Sequence, residues 1–169
     1  VLIGPPGAGK TRLGKRVARI LKVPFIDTDR RIVAKYGPIA DIFAQRGEEV
    51  FRRLEREEVA QALTEAAVVS LGGGAMLHAD SQEELSRHRV ALITVTPEAV
   101  AVRIAGSARP LVSGIDQWSA LVESRRAIYE RLATSTWDTS SRPIDQIAEE
   151  IAEWAAALVA ETVAEKEAP

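Results

Sequence analysis

Gly4-Pro5-Pro6-Gly7-Ala8-Gly9-Lys10-Thr11 fits the pattern Gly-x-x-x-x-Gly-Lys-[Ser/Thr] at every position, between the apolar run Val1-Leu2-Ile3 and a stretch with helical periodicity. Such a loop constrains the fold, because it leaves a buried strand and enters a helix whose N-terminus faces an anion. Its glycines let successive backbone N–H groups turn inward around a polyphosphate, and the helix end adds partial positive charge. Gly7, Ala8 and Gly9 are therefore expected to line a nucleotide, with Lys10 reaching its β- and γ-phosphates. The hydroxyl of Thr11 is placed to sit on the Mg²⁺ ion that offsets charge during phosphoryl transfer.

Strand and helix patterns alternate along the rest of the chain. Leu13, Val17, Ile20 and Leu21 recur at helical spacing, Val23-Pro24 ends that helix, and Phe25-Ile26 reads as a strand. Residues 29–36 and 39–66 read as helices parted by Gly37-Pro38, the second kinked at Gly47. Ala67 to Leu71 is a buried parallel strand halted by Gly72-Gly73-Gly74. A helix over 80–88, a strand from Val90 to Val95 and a helix from Pro97 to about Ile104 follow. Ala105 to Asp116, with two glycines, Pro110 and Arg109, reads as a mobile lid. Beyond it come a helix from Trp118 to Ala133, a brief edge strand at Trp137-Asp138-Thr139, and an Ala-rich helix from Pro143. That last helix carries Ile147, Ile151, Trp154, Leu158 and Val159 on one face, and the charged segment Ala160 to Pro169 is expected to fray. The alternation predicts a three-layer α/β sandwich around a mostly parallel five-stranded sheet, with ligands outside the carboxyl ends of its strands.

At 169 residues the chain suits one domain with one sizeable core. Its 22 basic and 24 acidic residues leave a formal charge of -2, which offers no overall field for nucleic acid or an anionic membrane. Zero cysteines exclude disulfides and thiolate metal clusters, and His78 and His88 lack metal-ligand spacing and read as surface residues. With no apolar run near the ~20 residues that span a bilayer and no secretory pattern, a cytoplasmic location is the expectation. No long apolar stripe advertises a partner, so a monomer is expected. The chain opens inside a strand without methionine, and a few native residues are expected ahead of Val1.

Other residues must choose the phosphoryl acceptor, since many enzymes share the phosphate loop. Asp27-Thr28-Asp29 follows the second strand and projects from the edge that presents the loop. Asp27 can hold a water on Mg²⁺ while Asp29 orients an acceptor hydroxyl and takes its proton. The same pair also suits a structural role, with Asp27 capping the next helix and Asp29 solvated in its first turn. Arg52, between Phe51 and Arg53-Leu54-Glu55, has a planar fork suited to a small carboxylate, though it can equally join Arg53 and Arg56 on a solvated face. Gly72, Gly73 and Gly74 allow a ligand close to the backbone, and Arg125, four residues before Tyr129, offers a second cation.

The order of these pieces resembles the shikimate kinase family of nucleoside-monophosphate-kinase-like P-loop enzymes over nearly the whole chain. The phosphate loop carries the resemblance, together with Asp27-Thr28-Asp29, Ile39-Ala40-Asp41-Ile42-Phe43, Gly47-Glu48 leading to Phe51-Arg52-Arg53-Leu54-Glu55, Ser70 to Ala75, Arg109-Pro110-Leu111, and Arg125 with Tyr129. The resemblance implies that ATP and shikimate are the substrates and that Asp29 contacts the shikimate hydroxyls and acts as base. It implies that Arg52 and Arg125 bind the carboxylate, that Gly72 to Gly74 line the acceptor pocket, and that Arg109 swings in with the lid. For the adenine it implies Arg103 as a stacking cation and the Arg142-Pro143 turn on the other face.

Two departures stand out. Val33 occupies the position where many relatives have a glutamate supporting the carboxylate-binding arginine, and Thr139 to Pro143 differs from the more basic or asparagine-rich adenine loop of relatives. Two other readings stay open: a gluconate-type kinase, and a ligand-sensing domain of a transcription regulator that keeps this fold without catalysis. The glycine triplet and the arginine-bearing helix favour shikimate over gluconate, and no helix-turn-helix or basic segment supports the regulator.

Overall fold

The computed structural model describes residues 1–105 and 114–167. Strands β1 Leu2–Ile3, β2 Phe25–Asp27, β3 Val68–Ser70, β4 Ala91–Thr94 and β5 Ser135–Asp138 form one sheet in the order β2-β3-β1-β4-β5. Every pairing is parallel, with Leu2 opposite both Ser70 and Ala91, Asp27 opposite Ser70, and Thr94 opposite Asp138. The helices are α1 Lys10–Leu21, α2 Thr28–Tyr36, α3 Ile39–Leu63, α4 Ala79–Leu85, α5 Pro97–Ala105, α6 Gly114–Leu132 and α7 Ile144–Glu167, and a 3₁₀ turn covers Ala75–Leu77.

Alternation along the central strands sorts the core into two layers, since successive side chains of a strand point to opposite faces. Leu2, Ala91 and Ile93 pack with Leu13 and Val17 of α1 and Ile147 and Ile151 of α7. Ile3, Val69, Leu71 and Leu92 pack on the other face with Val59 and Ala62 of α3, Met76, Leu85, and Tyr129 and Leu132 of α6. A smaller cluster of Ile32, Ile42, Phe51 and Leu54 joins α2 to α3. Loss of a fully buried side chain such as Leu13 would cost about 2–5 kcal/mol, because the cavity left behind adds to the transfer term.

Because all strands are parallel, the phosphate loop after β1, the Asp27 corner after β2, the glycine triplet after β3 and Thr139 after β5 emerge on one edge. The kink expected at Gly47 is present, with φ 80° and ψ 168° inside α3. Other bounds shift. α3 ends at Leu63, short of residue 66, and the strands are trimmed to their paired residues. Of the segment 105–116 expected to form a lid, Ala105 ends α5 and Gly114, Ile115 and Asp116 begin α6. Its remaining residues 106–113, Arg109 among them, lie outside the described residues. The segment from Ala160, expected to fray, continues α7 through Glu167. Ile20, counted among the apolar periodic residues, is 47 % exposed because α1 turns it away from both sheet and α7. The side chains of Leu158 and Val159 fall outside the description.

Candidate active site

Lys10 opens α1, and its ammonium folds back to donate to the Gly4 carbonyl at 2.7 Å and the Pro5 carbonyl at 3.1 Å. Burial lowers its pKa to about 8, against the opposing pull of Asp29 and Asp27. The Thr11 hydroxyl donates to Asp27 Oδ2 at 2.7 Å, while Asp27 Oδ1 accepts from the Arg30 N–H at 3.1 Å as the N-cap of α2. The two expected roles of Asp27 are thus compatible: one oxygen caps the helix and the other meets the threonine. A hydroxyl beside a carboxylate is a hard-oxygen donor set of the kind Mg²⁺ accepts when phosphate and water fill the rest of its shell. Among the described residues no group of three or more His, Cys, Asp or Glu forms a separate metal cage.

Asp29 lies in the first turn of α2, half-buried, and burial together with the Asp27 charge raises its pKa while Lys10 and Arg52 oppose the rise. Thr28 is fully buried beside it. Its hydroxyl meets the Ser70 carbonyl at 3.4 Å and accepts from the Gly72 N–H at 3.1 Å, which ties the start of α2 to the glycine triplet.

Each glycine of that triplet hosts a different charged side chain. A Cβ on Gly72 would come within 3.0 Å of Asp29 Oδ1, and one on Gly74 within 3.0 Å of Arg52 Nη1. A Cβ on Gly73 would lie 3.6 Å from Arg125 Nη1, and the Gly73 carbonyl accepts from that nitrogen at 2.6 Å. Arg52 is held on its own helix: Nη1 donates to Glu55 at 2.8 Å, and Nε and Nη2 donate to Glu48 at 3.3 and 3.2 Å. Glu55 is buried, and that burial raises its pKa against the lowering effect of Arg52. A cavity of about 210 Å³ opens beside Arg52, Glu55 and Gly74.

Against the phosphate loop, a cavity of about 410 Å³ is lined by Gly7, Ala8, Gly9, Arg12, Arg103, Thr139 and Arg142. Arg103 donates to the Gly7 carbonyl at 3.0 Å and to both the hydroxyl and the carbonyl of Thr139. Arg142 pairs with Glu150 of α7, and Pro143 immediately precedes that helix. The phosphate loop thus lines one charged cavity with Arg103 and Arg142 through Gly7 to Gly9, and another with Asp27 and Asp29 through Thr11, the arrangement a two-substrate phosphoryl transfer needs. A mainly apolar groove of about 490 Å³ around Leu2, Val17, Leu21 and Trp154 is a separate feature without such a constellation.

Comparison with known proteins matches this geometry to one family. The family model for shikimate kinase covers residues 6–156. The chain belongs to the shikimate kinase family. It is accordingly an ATP-dependent kinase. A shikimate kinase of Thermobifida fusca is 45% identical over 157 residues, spanning 90% of this chain and 91% of the relative. One from Corynebacterium efficiens is 40% identical, spanning 89% and 92%. Among solved structures, the shikimate kinase of Acinetobacter baumannii in complex with shikimate superposes with a TM-score of 0.83 at 30% identity, covering 92% of this chain and 91% of that one. A gluconokinase from Sinorhizobium meliloti, at 17% identity and TM-score 0.60 over 99% and 95% of the two chains, shares the fold.

Within the shikimate kinase frame, Val33 is 41 % exposed and offers Arg52 no hydrogen-bonding group. Glu48 and Glu55 of α3 supply that support instead. Sequence reading missed Thr28, Glu48, Glu55 and Thr139 as individual contributors. Glu55 carried one legible signal, since three residues after Arg52 on a helix is a contacting distance. Thr28 and Thr139 carried none, because their partners lie 44 and 131 positions away.

Proposed function

We propose the following division of labour for transfer of the γ-phosphoryl of ATP to the 3-hydroxyl of shikimate, the reaction of this family in aromatic amino-acid biosynthesis. Gly7, Ala8, Gly9 and Lys10 hold the phosphates, and Arg103 with the Arg142-Pro143 turn flanks the adenine in the cavity beside Thr139. Mg²⁺, held by Thr11 and through water by Asp27, would offset charge on the phosphate oxygens. Arg52 and Arg125 bind the shikimate carboxylate by charge-assisted hydrogen bonds. Asp29 accepts the proton of the 3-hydroxyl as that oxygen bonds to phosphorus and the bond to the β-phosphate oxygen breaks, giving shikimate 3-phosphate and ADP. Arg109 compensates charge on the moving phosphoryl group.

The observation that carries this reading is the glycine triplet, where Asp29, Arg125 and Arg52 each press on one of three consecutive residues after β3. A base and two cations so converged match an acceptor with hydroxyls and one carboxylate. Arg52 arrives already clamped by Glu48 and Glu55, which limits the side-chain entropy lost on binding.

ADP release from Mg-ATP is measured with shikimate, gluconate, AMP and no acceptor in parallel. Turnover that requires shikimate is expected; turnover with gluconate or AMP would reassign the pocket, and shikimate binding without turnover would replace the kinase by a sensor. The chain is proposed to act as a monomer in the cytoplasm; among the described residues no helix is long and apolar enough to cross a membrane.

A further inference from the structure

A backbone N–H can face a phosphate only if the carbonyl of the same peptide unit faces away, and a buried carbonyl needs a donor of its own. In this chain every carbonyl of the phosphate loop from Gly4 to Gly9 has one. Lys10 serves Gly4 and Pro5, and the Leu13 N–H serves Gly9 at 2.9 Å from within the helix start. The three between them are served by side chains from three distant elements. Trp118 Nε1 of α6 donates to the Pro6 carbonyl at 2.8 Å, Arg103 of α5 donates to Gly7 at 3.0 Å, and the Thr139 hydroxyl after β5 donates to Ala8 at 3.0 Å. The Thr139 hydroxyl also lies 3.1 Å from the Thr94 carbonyl, but that acceptor already receives the Thr139 N–H at 3.0 Å. Of the two acceptors the Ala8 carbonyl is the nearer. Trp118 and Thr139 are 4 % and 5 % exposed, so water does not readily stand in for either donor.

We infer that Trp118 and Thr139 are positioning residues for the nucleotide: by holding the carbonyls of Pro6 and Ala8 outward they aim the N–H groups of Gly7 and Gly9 at the phosphates. The inference rests on the reading of this loop as the ATP site. It is selective, because among the described residues neither the Gly7 nor the Gly9 N–H donates to a protein acceptor, whereas the Ala8 N–H is drawn back to the Pro5 carbonyl at 3.3 Å. The Gly7 and Gly9 N–H groups, whose peptide carbonyls Trp118 and Thr139 hold, thus stay open to an anion beside those of the first turn of α1. Trp118 lines none of the charged cavities and acts through the loop alone, whereas Thr139 also lines the cavity shared with Arg103 and Arg142.

The test removes one donor at a time while keeping shape. Trp118→Phe deletes the indole N–H and leaves an aromatic ring, Thr139→Val deletes the hydroxyl, and Thr139→Ser restores it. KM for Mg-ATP, the ADP dissociation constant by calorimetry, KM for shikimate and Tm are measured on each. Trp118→Phe and Thr139→Val are each expected to weaken ATP and ADP by about fivefold to tenfold, with KM for shikimate within about twofold of the parent and Thr139→Ser returning nucleotide affinity to within about twofold. Nucleotide affinity unchanged in both deletion variants would overturn the inference. So would equal weakening of ATP and shikimate alongside a lowered Tm, which is the mark of a merely structural role. A parent protein that binds no nucleotide would instead remove the reading of the loop on which the inference stands.

Discussion

Asp29 and Arg52 sit about the same glycine triplet yet differ in what their loss should do. Arg52 offers a preorganised cation to a ground-state carboxylate, so Arg52→Ala is expected to weaken shikimate by about 1.5–3 kcal/mol with kcat changed less. Asp29→Asn keeps the shape and removes the proton acceptor, so kcat is expected to fall by about 10²–10⁴ with KM for shikimate changed less. Steady-state kinetics on both variants checks the contrast, and a reversed pattern would exchange their roles. Lys10 gives the pH dependence its alkaline limb. Burial lowers its pKa to about 8, so in the free protein it is charged below that pH and sheds its proton as pH rises through it. Since the charged form binds phosphate, kcat/KM for ATP is expected to decline above about pH 8, and a flat profile to pH 10 would remove Lys10 from that limb.

The elements that carry the acceptor site are α2 and α3, and their mutual position sets the distance from Asp29 to Arg52. Beyond the small apolar cluster, Glu58 of α3 ties them: its buried carboxylate takes Arg31 at 3.4 Å on one oxygen and Lys35 on the other. Arg31 also grips Glu65 at 2.5 and 2.9 Å. Removing a fully buried partner costs about 3–5 kcal/mol; here both cations reach solvent, so Glu58→Ala is expected to cost about 1–3 kcal/mol in denaturant unfolding. A loss below about 0.5 kcal/mol would show that the apolar cluster alone joins the helices. Helix periodicity made both elements readable in advance, including the break at Gly47. It did not show the ion cluster, because single Arg, Lys and Glu residues on helix faces have the same spacing whether they face water or another helix.

At the scale of the whole molecule, five parallel strands bring four loops to one edge, and the phosphate loop is fastened to α5, α6 and the end of β5 by side chains. A ligand bound at that junction stabilises the folded chain by mass action. A nonhydrolysable ATP analogue at 100 times its Kd is expected to add about 2.7 kcal/mol to unfolding, read as a raised Tm, and no shift would deny nucleotide binding to the folded state. The strand-helix alternation and the eight-residue phosphate loop were settled by the sequence alone, since period and spacing are local properties of a chain. Tertiary structure decided which glycine meets which charge, that Glu48 and Glu55 support Arg52 where Val33 does not, and which side chains satisfy the carbonyls of Pro6, Gly7 and Ala8. The physical reason is that a buried carbonyl or guanidinium must find a partner in space, and no spacing rule announces a partner as far along the chain as Thr139 is from Ala8.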